Sequence, residues 1–290
     1  MYTLSLKKIC VASAVFAAGL TTLSTASAVV VDEILTVPSN LEDDWAITAI
    51  AGGGTASIVD LTGLGGDLEN NQPLSTGAAK LTTGLADPDR AEIGTVLDFG
   101  LASDLLKSVD LAYSFYKATV AGGNVFAAPA LKLTIYAAGG TGDNWGQLVF
   151  EPYLNGTNPP TPDVWTNVVI DENTGSGVDT TAGWWWTGGF EILSSSGGNP
   201  YRSLSEWADA FASSDGTDFA NAHVVGLAVG VGTYNQGQLG YVDDIRIDTG
   251  SINKTYDFET AAVPDSGSMI GLLMFSLTAL IGFRRISSRR

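Results

Sequence analysis

Four groups of residues carry types and spacings that could do chemistry: the triplet Trp184-Trp185-Trp186, the oxygen-rich stretch from Asp171 to Asp179, the pair Asp243-Asp244, and the lone histidine His223. On a strand, successive side chains point to opposite faces, so Trp184 and Trp186 share one face and Trp185 takes the other. A two-layer sandwich buries only one of those faces. The other ring either packs under a loop or offers a flat surface on which a sugar can stack. Trp185 is therefore the candidate for glycan stacking, with Trp145, Trp165 and Tyr153 as candidate companions from nearby loops.

Asp171, Asn173 and Asp179 fall at odd-numbered positions of an acidic loop, as calcium ligands do, and Asp243 and Asp244 add carboxylates from elsewhere in the chain. An EF-hand is excluded. Gly175 and Gly177 stand at its fifth and seventh positions, Ser176 at the sixth where glycine is required, and Ala182 at the twelfth where a bidentate glutamate is required. A structural calcium with ligands from separate loops stays open beside the plainer reading, solvated turn carboxylates. Any Ser-His-Asp arrangement would depend on His223, yet no Gly-x-Ser-x-Gly turn supplies a nucleophile. No catalytic residue is assigned. A pair of carboxylates flanking a glycosidic bond is the one catalytic device that counting residues leaves open.

The elements that must position these residues are short and β-like. Candidate strands are Trp45 to Ile50, Thr55 to Leu61, Ala78 to Thr82, Ala91 to Phe99, Ser108 to Thr119 and Ala130 to Ala137. They continue with Gln147 to Tyr153, Val164 to Ile170, Trp184 to Leu193, His223 to Val231, Leu239 to Asp248 and Lys254 to Glu259. Leu131, Leu133 and Ile135 alternate with Lys132 and Thr134, the mark of a strand with one buried face. Glycine, asparagine, aspartate and proline separate the strands. The helical stretches that a βαβ fold would need between strands are missing. One short helix is predicted over Ser203 to Ala212, where Ser203 and Glu206 form a capping box and Leu204, Trp207, Ala208 and Phe211 make an apolar stripe. The fold class is all-β: a jelly-roll-like antiparallel β-sandwich with one short helix.

Both ends of the chain read as targeting segments. Lys7 and Lys8, the apolar run Ile9 to Leu20 and the Ala26-Ser27-Ala28 cleavage site make residues 1–28 a signal peptide for signal peptidase. The only cysteine, Cys10, lies inside it, so the mature body has no disulfide, no thiol nucleophile and no cysteine-based zinc site. Six of the 14 basic residues and one of the 31 acidic residues lie in the two ends, which leaves the body with 30 acidic against 8 basic. Nucleic acid is excluded as a partner by that sign. Divalent cations and neutral glycans are not.

Val263, Pro264, Asp265, Ser266 and Gly267 precede an apolar run from Met269 to Phe283 and then Arg284, Arg285, Arg289 and Arg290. Fifteen residues of helix span roughly 22 Å, short of a roughly 30 Å hydrocarbon core. The arginines fix the orientation, because basic residues beside a span stay in the cytoplasm and the body then lies outside. This C-terminal region, 263–290, resembles the VPDSG-CTERM sorting signal, a variant of the PEP-CTERM tails of exosortase substrates. The resemblance implies a membrane-embedded transpeptidase of the exosortase type as partner and a transient inner-membrane anchor. It also implies removal of the tail and delivery of the 29–262 domain to the cell surface or an exopolysaccharide matrix.

A second resemblance covers the end of the body. Tyr241-Val242-Asp243-Asp244-Ile245-Arg246-Ile247-Asp248 and Tyr256-Asp257-Phe258-Glu259 are similar to the closing strands of carbohydrate-binding, galactose-binding-like jelly rolls. Alternation there points Ile245 and Ile247 inward and Asp244, Arg246 and Asp248 outward. The functional expectation is a non-enzymatic structural or interaction protein of the envelope or extracellular matrix. The alternatives are a carbohydrate-binding module and, behind it, a glycan-cleaving enzyme.

Overall fold

The computed structural model describes residues 33–37, 45–140, 143–156, 159–175, 182–195 and 197–260. The predicted signal peptide with Ala26 and Ala28, the motif Val263–Gly267 with its apolar run, and Asp179 lie outside the described residues. Among the described residues no helix is long and apolar enough to cross a membrane.

In chain order the first elements are β1 (Glu33–Val37), β2 (Trp45–Ala51), β3 (Thr55–Asp60), α1 (Gly66–Asn70), β4 (Gly77–Thr82), β5 (Arg90–Thr95) and β6 (Gly100–Leu101). Then come α2 (Ala102–Leu105), β7 (Asp110–Lys117), β8 (Ala130–Ala137), β9 (Trp145–Phe150), β10 (Trp165–Ile170) and β11 (Trp184–Gly188). The chain closes with α3 (Leu204–Ser214), α4 (Gly216–Phe219), β12 (Ala222–Gly232), β13 (Leu239–Asp248) and β14 (Asn253–Phe258).

The strands form two sheets. In the first, β13 is paired along one edge with β7, and β10 lies beyond it; its other edge is shared by β4, which carries β3, and β14, which carries β1. The second runs β11-β9-β8-β12-β5-β2, with β6 beside the start of β12. Among the described strands every pairing is antiparallel except β1 with β14. The chain crosses repeatedly from one sheet to the other, as the jelly-roll-like sandwich requires.

Leu131, Leu133 and Ile135 of β8 and Leu227 and Val229 of β12 face Tyr113, Phe115, Ile245 and Ile247 of the first sheet in one buried core. Trp45 of β2 reaches across to stand edge-on against Tyr256 at 5.0 Å and Phe258 at 4.9 Å. Where the first sheet gives out, α3 continues the cover over β11 and β9. Its predicted capping box is formed, with Ser203 and Glu206 each satisfying the other's backbone N–H. Its stripe of Leu204, Trp207, Ala208 and Phe211 is buried. Three helices of one turn or little more, α1, α2 and α4, were not expected; none carries the long apolar period that reveals a helix in sequence.

Three predicted strands end well short of their expected bounds, the first of them the stretch from Ala91, which stops at Thr95 and not at Phe99. The stretch from Gln147 stops at Phe150 because Pro152 opens a 3-10 turn over Pro152–Leu154. The stretch from Trp184 stops at Gly188, where Phe190 and Glu191 take positive φ of 56° and 57° and turn the chain away. A further correction concerns Asp244, which was expected to point into solvent. The register of β13 slips between Asp243 and Arg246, and Asp244 sits in that bulge with φ 53°. It is 4% exposed and receives Arg246 Nε at 2.8 Å.

Candidate functional site: the outer face of the second sheet

The triplet divides as alternation requires. Trp184 and Trp186 are fully buried: Trp184 packs on Phe150 at 5.3 Å and Trp186 stands edge-on to Phe211 at 4.6 Å. The Trp207 indole donates to the Trp184 carbonyl at 2.9 Å. Gly146 makes the close approach feasible, since a Cβ there would come within 2.2 Å of the Trp186 ring. Trp185 takes the other face and is half-buried.

Register then shows what accompanies Trp185. One row of that face runs Trp185, Val149, Lys132, Ala228 and Gly94 across β11, β9, β8, β12 and β5. The next holds Thr187, Gln147, Thr134 and Gly226, and the row beyond it Trp145, Tyr136 and His223. Trp145 is 50% and Tyr136 41% exposed, so two neighbouring strands present aromatic rings side by side. His223 lies with Nδ1 2.8 Å from Asp98 Oδ1.

On the opposite side of the Trp185 row the face sinks into a groove of 390 Å³ lined by Trp185, Glu151, Tyr153, Lys132, Tyr234 and Asn235, with Gly230 on its floor. Lys132 is committed to Glu92 at 2.5 Å, and Thr48 donates to the other Glu92 oxygen at 2.6 Å. Glu151 forms none of the ion pairs found among the described residues. Burial raises the Glu151 carboxyl above its ordinary range, against the opposing pull of the Tyr153 hydroxyl, the Trp185 indole and Lys132. Glu151 Oε2 and Trp185 Nε1 are nevertheless buried without a hydrogen bond of proper geometry. Tyr153 and Tyr201 are both raised, by burial first and by the Glu151 charge second.

Of the three predicted tryptophans, the fold brings Trp185 and Trp145 onto one face and leaves Trp165 out. Trp165 sits on the outer face of the first sheet, stands edge-on to Tyr116 at 5.8 Å, and donates its indole N–H to the Leu68 carbonyl of α1 at 3.1 Å. It belongs to a small second core. Tyr136, Glu151 and Tyr234 were missed. Alternation in β8 places Tyr136 with Lys132, but only strand pairing sets it beside Trp145.

The acidic groups are also redistributed. Asp171 accepts from the backbone of Asn173 at 3.0 Å and the Thr174 hydroxyl at 2.8 Å, and Asn173 accepts from Ser205 of α3 at 3.3 Å. That turn satisfies itself. Among the described residues no three His, Cys, Asp or Glu side chains converge as metal ligands. Asp243, however, is not a solvated turn carboxylate: it is 0% exposed, accepting the Phe258 N–H at 3.1 Å through Oδ1. Its Oδ2 and the Oδ1 of buried Asp257 have no partner, while the other Asp257 oxygen accepts from Ser75 at 3.2 Å. Burial, and then the charges of Asp257 and Asp244, push Asp243 up to about 8 against the pull of the Phe258 N–H. Two buried oxygens without donors suit a hard divalent cation, and Asp243 and Asp257 are the residues that would hold calcium.

A further cavity of 260 Å³ lies between Val120, Val125, Pro129, Pro160 and Leu239. The ammonium of Lys117 there is spent on the carbonyls of Asn124 and Ala127.

The geometry defines a β-sandwich with a polar, aromatic-bearing sheet face. Residues 262–287 match the VPDSG-CTERM motif, so the chain carries the sorting tail of an exported protein. A comparison with curated proteins returns no match. Among solved structures, the chain is similar to the Family 11 Carbohydrate-Binding Module from Clostridium thermocellum in complex with a β-1,3-1,4-mixed-linked tetrasaccharide. The identity is 14% and the TM-score 0.36, over 72% of this chain and 90% of that one. It is also similar to the CBM22-1 xylan-binding domain from Paenibacillus barcinonensis, at 12% identity and TM-score 0.27, over 72% of this chain and 86% of that one.

Proposed function

We propose that the protein is delivered to the cell surface or the extracellular polymer matrix and there holds a polysaccharide chain on the outer face of its second sheet, without cleaving it. The observation that carries this reading is Trp185, an outward ring whose two neighbours in sequence are core, beside a groove lined by Tyr153 and Tyr234 over a glycine floor. Trp145 and Tyr136 supply a second aromatic station. Val149, the partner of Trp185, is four residue steps along β9 from Trp145, so the stations lie about 13 Å apart along the strands, farther than one sugar ring reaches. A polymer satisfies both; a monosaccharide does not. Gln147 and Thr134 between them carry the amide and hydroxyl groups that sugar hydroxyls hydrogen-bond.

Signal peptidase and an exosortase-type transpeptidase are the processing partners in this reading, and calcium at Asp243 and Asp257 is a structural ion, not a participant in binding. The test is affinity electrophoresis of the full chain through gels containing neutral and amino polysaccharides. Retardation by at least one polymer is expected, reduced by Trp185→Ala and by Trp145→Ala with the melting temperature nearly kept. Unretarded migration through every polymer would end the glycan reading.

A further inference from the structure

We infer that the groove beside Trp185 selects a sugar bearing a free amine, so that the polymer held is an amino-sugar chain; this rests on the glycan-binding reading. The argument is one of charge. Glu92 has both oxygens occupied, one by the Lys132 ammonium and one by the Thr48 hydroxyl. Glu151 lines the same groove and takes part in none of the ion pairs found among the described residues; the groups that bear on its carboxyl are the neutral Tyr153 hydroxyl and Trp185 indole and, more weakly, Lys132, already paired with Glu92. Two carboxylates against one ammonium leave this part of the face one cation short.

The shape of the deficit is specific. The Glu151 charge bears on the hydroxyls of Tyr153 and Tyr201, which stand nearby, and the rings of Trp185, Tyr153 and Tyr234 line the cavity. An ammonium attached to a ring satisfies all of these at once: a charge-assisted bond to the carboxylate, attraction to aromatic faces, and stacking of the sugar's apolar side. A uronate or sulfated glycan would set like charge against Glu151 and against a body with 30 acidic and 8 basic residues. A neutral sugar could stack but would leave the carboxylate without a counter-ion.

The experiment is calorimetric titration of the full chain, at a pH where the sugar amine is protonated. The probes are a glucosamine trisaccharide, its fully N-acetylated twin, and spermidine as a sugar-free polyamine. The amine-bearing trisaccharide is expected to bind at least about tenfold more tightly than the acetylated one, the worth of one charge-assisted bond. Glu151→Gln should abolish that ratio, and Trp185→Ala should weaken both sugars. Equal binding of the two sugars by the wild-type chain overturns the amine inference and leaves the glycan reading standing. An amine preference that survives Glu151→Gln, or spermidine binding as tightly as the trisaccharide, assigns the effect to the acidic body as a whole and overturns it too. If neither sugar binds, the amine inference falls, and retardation by a neutral polysaccharide in the gels still decides the glycan reading separately.

Discussion

Replacing Asp243 by asparagine tests the buried carboxylate pair, and the structure sets both the sign and the size of the effect. An unfolded aspartate titrates near 3.9, whereas in the fold Asp243 is pushed up to about 8, chiefly by burial. Between those values the folded state holds a proton that the unfolded chain releases, so stability falls as pH rises through the window and levels off above it. Four pH units at 1.36 kcal/mol each give a ceiling of about 5 kcal/mol, which water entry and relaxation around the pair reduce. Asparagine keeps the oxygen that accepts the Phe258 N–H and removes the titration. Urea unfolding of wild type and Asp243→Asn, in chelator, should therefore coincide near pH 4 and diverge steadily to pH 8, with the variant more stable by several kcal/mol. Subtracting the curves cancels the general repulsion among the other carboxylates. Parallel curves, offset by the same amount at every pH, would refute the reasoning.

The same pair predicts a calcium effect: at a hundredfold excess over Kd, binding to the folded chain alone adds about 2.7 kcal/mol. Calcium should then raise Tm beyond sodium at equal ionic strength in wild type but not in Asp243→Asn; equal shifts in both would leave only screening. Trp184→Ala and Trp186→Ala should each cost about 3–5 kcal/mol in denaturant unfolding, and Trp185→Ala much less, because only the first two are core. For the tail, intact-mass measurement of the released protein should show Met269 to Arg290 missing, with Pro264→Ala plus Gly267→Ala giving an uncleaved form; a native protein released with its tail would contradict the sorting route.

Periodicity made most of the sandwich readable. Leu131, Leu133 and Ile135 announced a strand with one dry face, and the Trp triplet could be divided between core and surface before any partner strand was known. Ser203 and Glu206 act on each other over three residues, so their cap was visible too. What depends on distant segments was not. Trp165 looked like a companion of Trp185, yet pairing of β10 with β7 carries it to the other sheet. Asp244 looked solvated because a bulge is a mismatch between two strands and leaves no mark on either alone. Glu151 looked like one acid among thirty, and only the pairing of Lys132's partner Glu92 from β5 shows which carboxylate is left over.

The last strand also has a mechanical meaning. β14 is clasped on both sides, by β13 antiparallel and by β1 parallel, and Glu259 just past its end accepts the Gly77 N–H at 2.8 Å. The sorting motif begins four residues after Glu259. A pull applied through the tail runs along the axis of β14, so it loads the hydrogen bonds on both flanks together instead of peeling them off one by one. Drag on a body still tethered by its tail would thus meet the sandwich in shear, where many bonds must yield in the same moment.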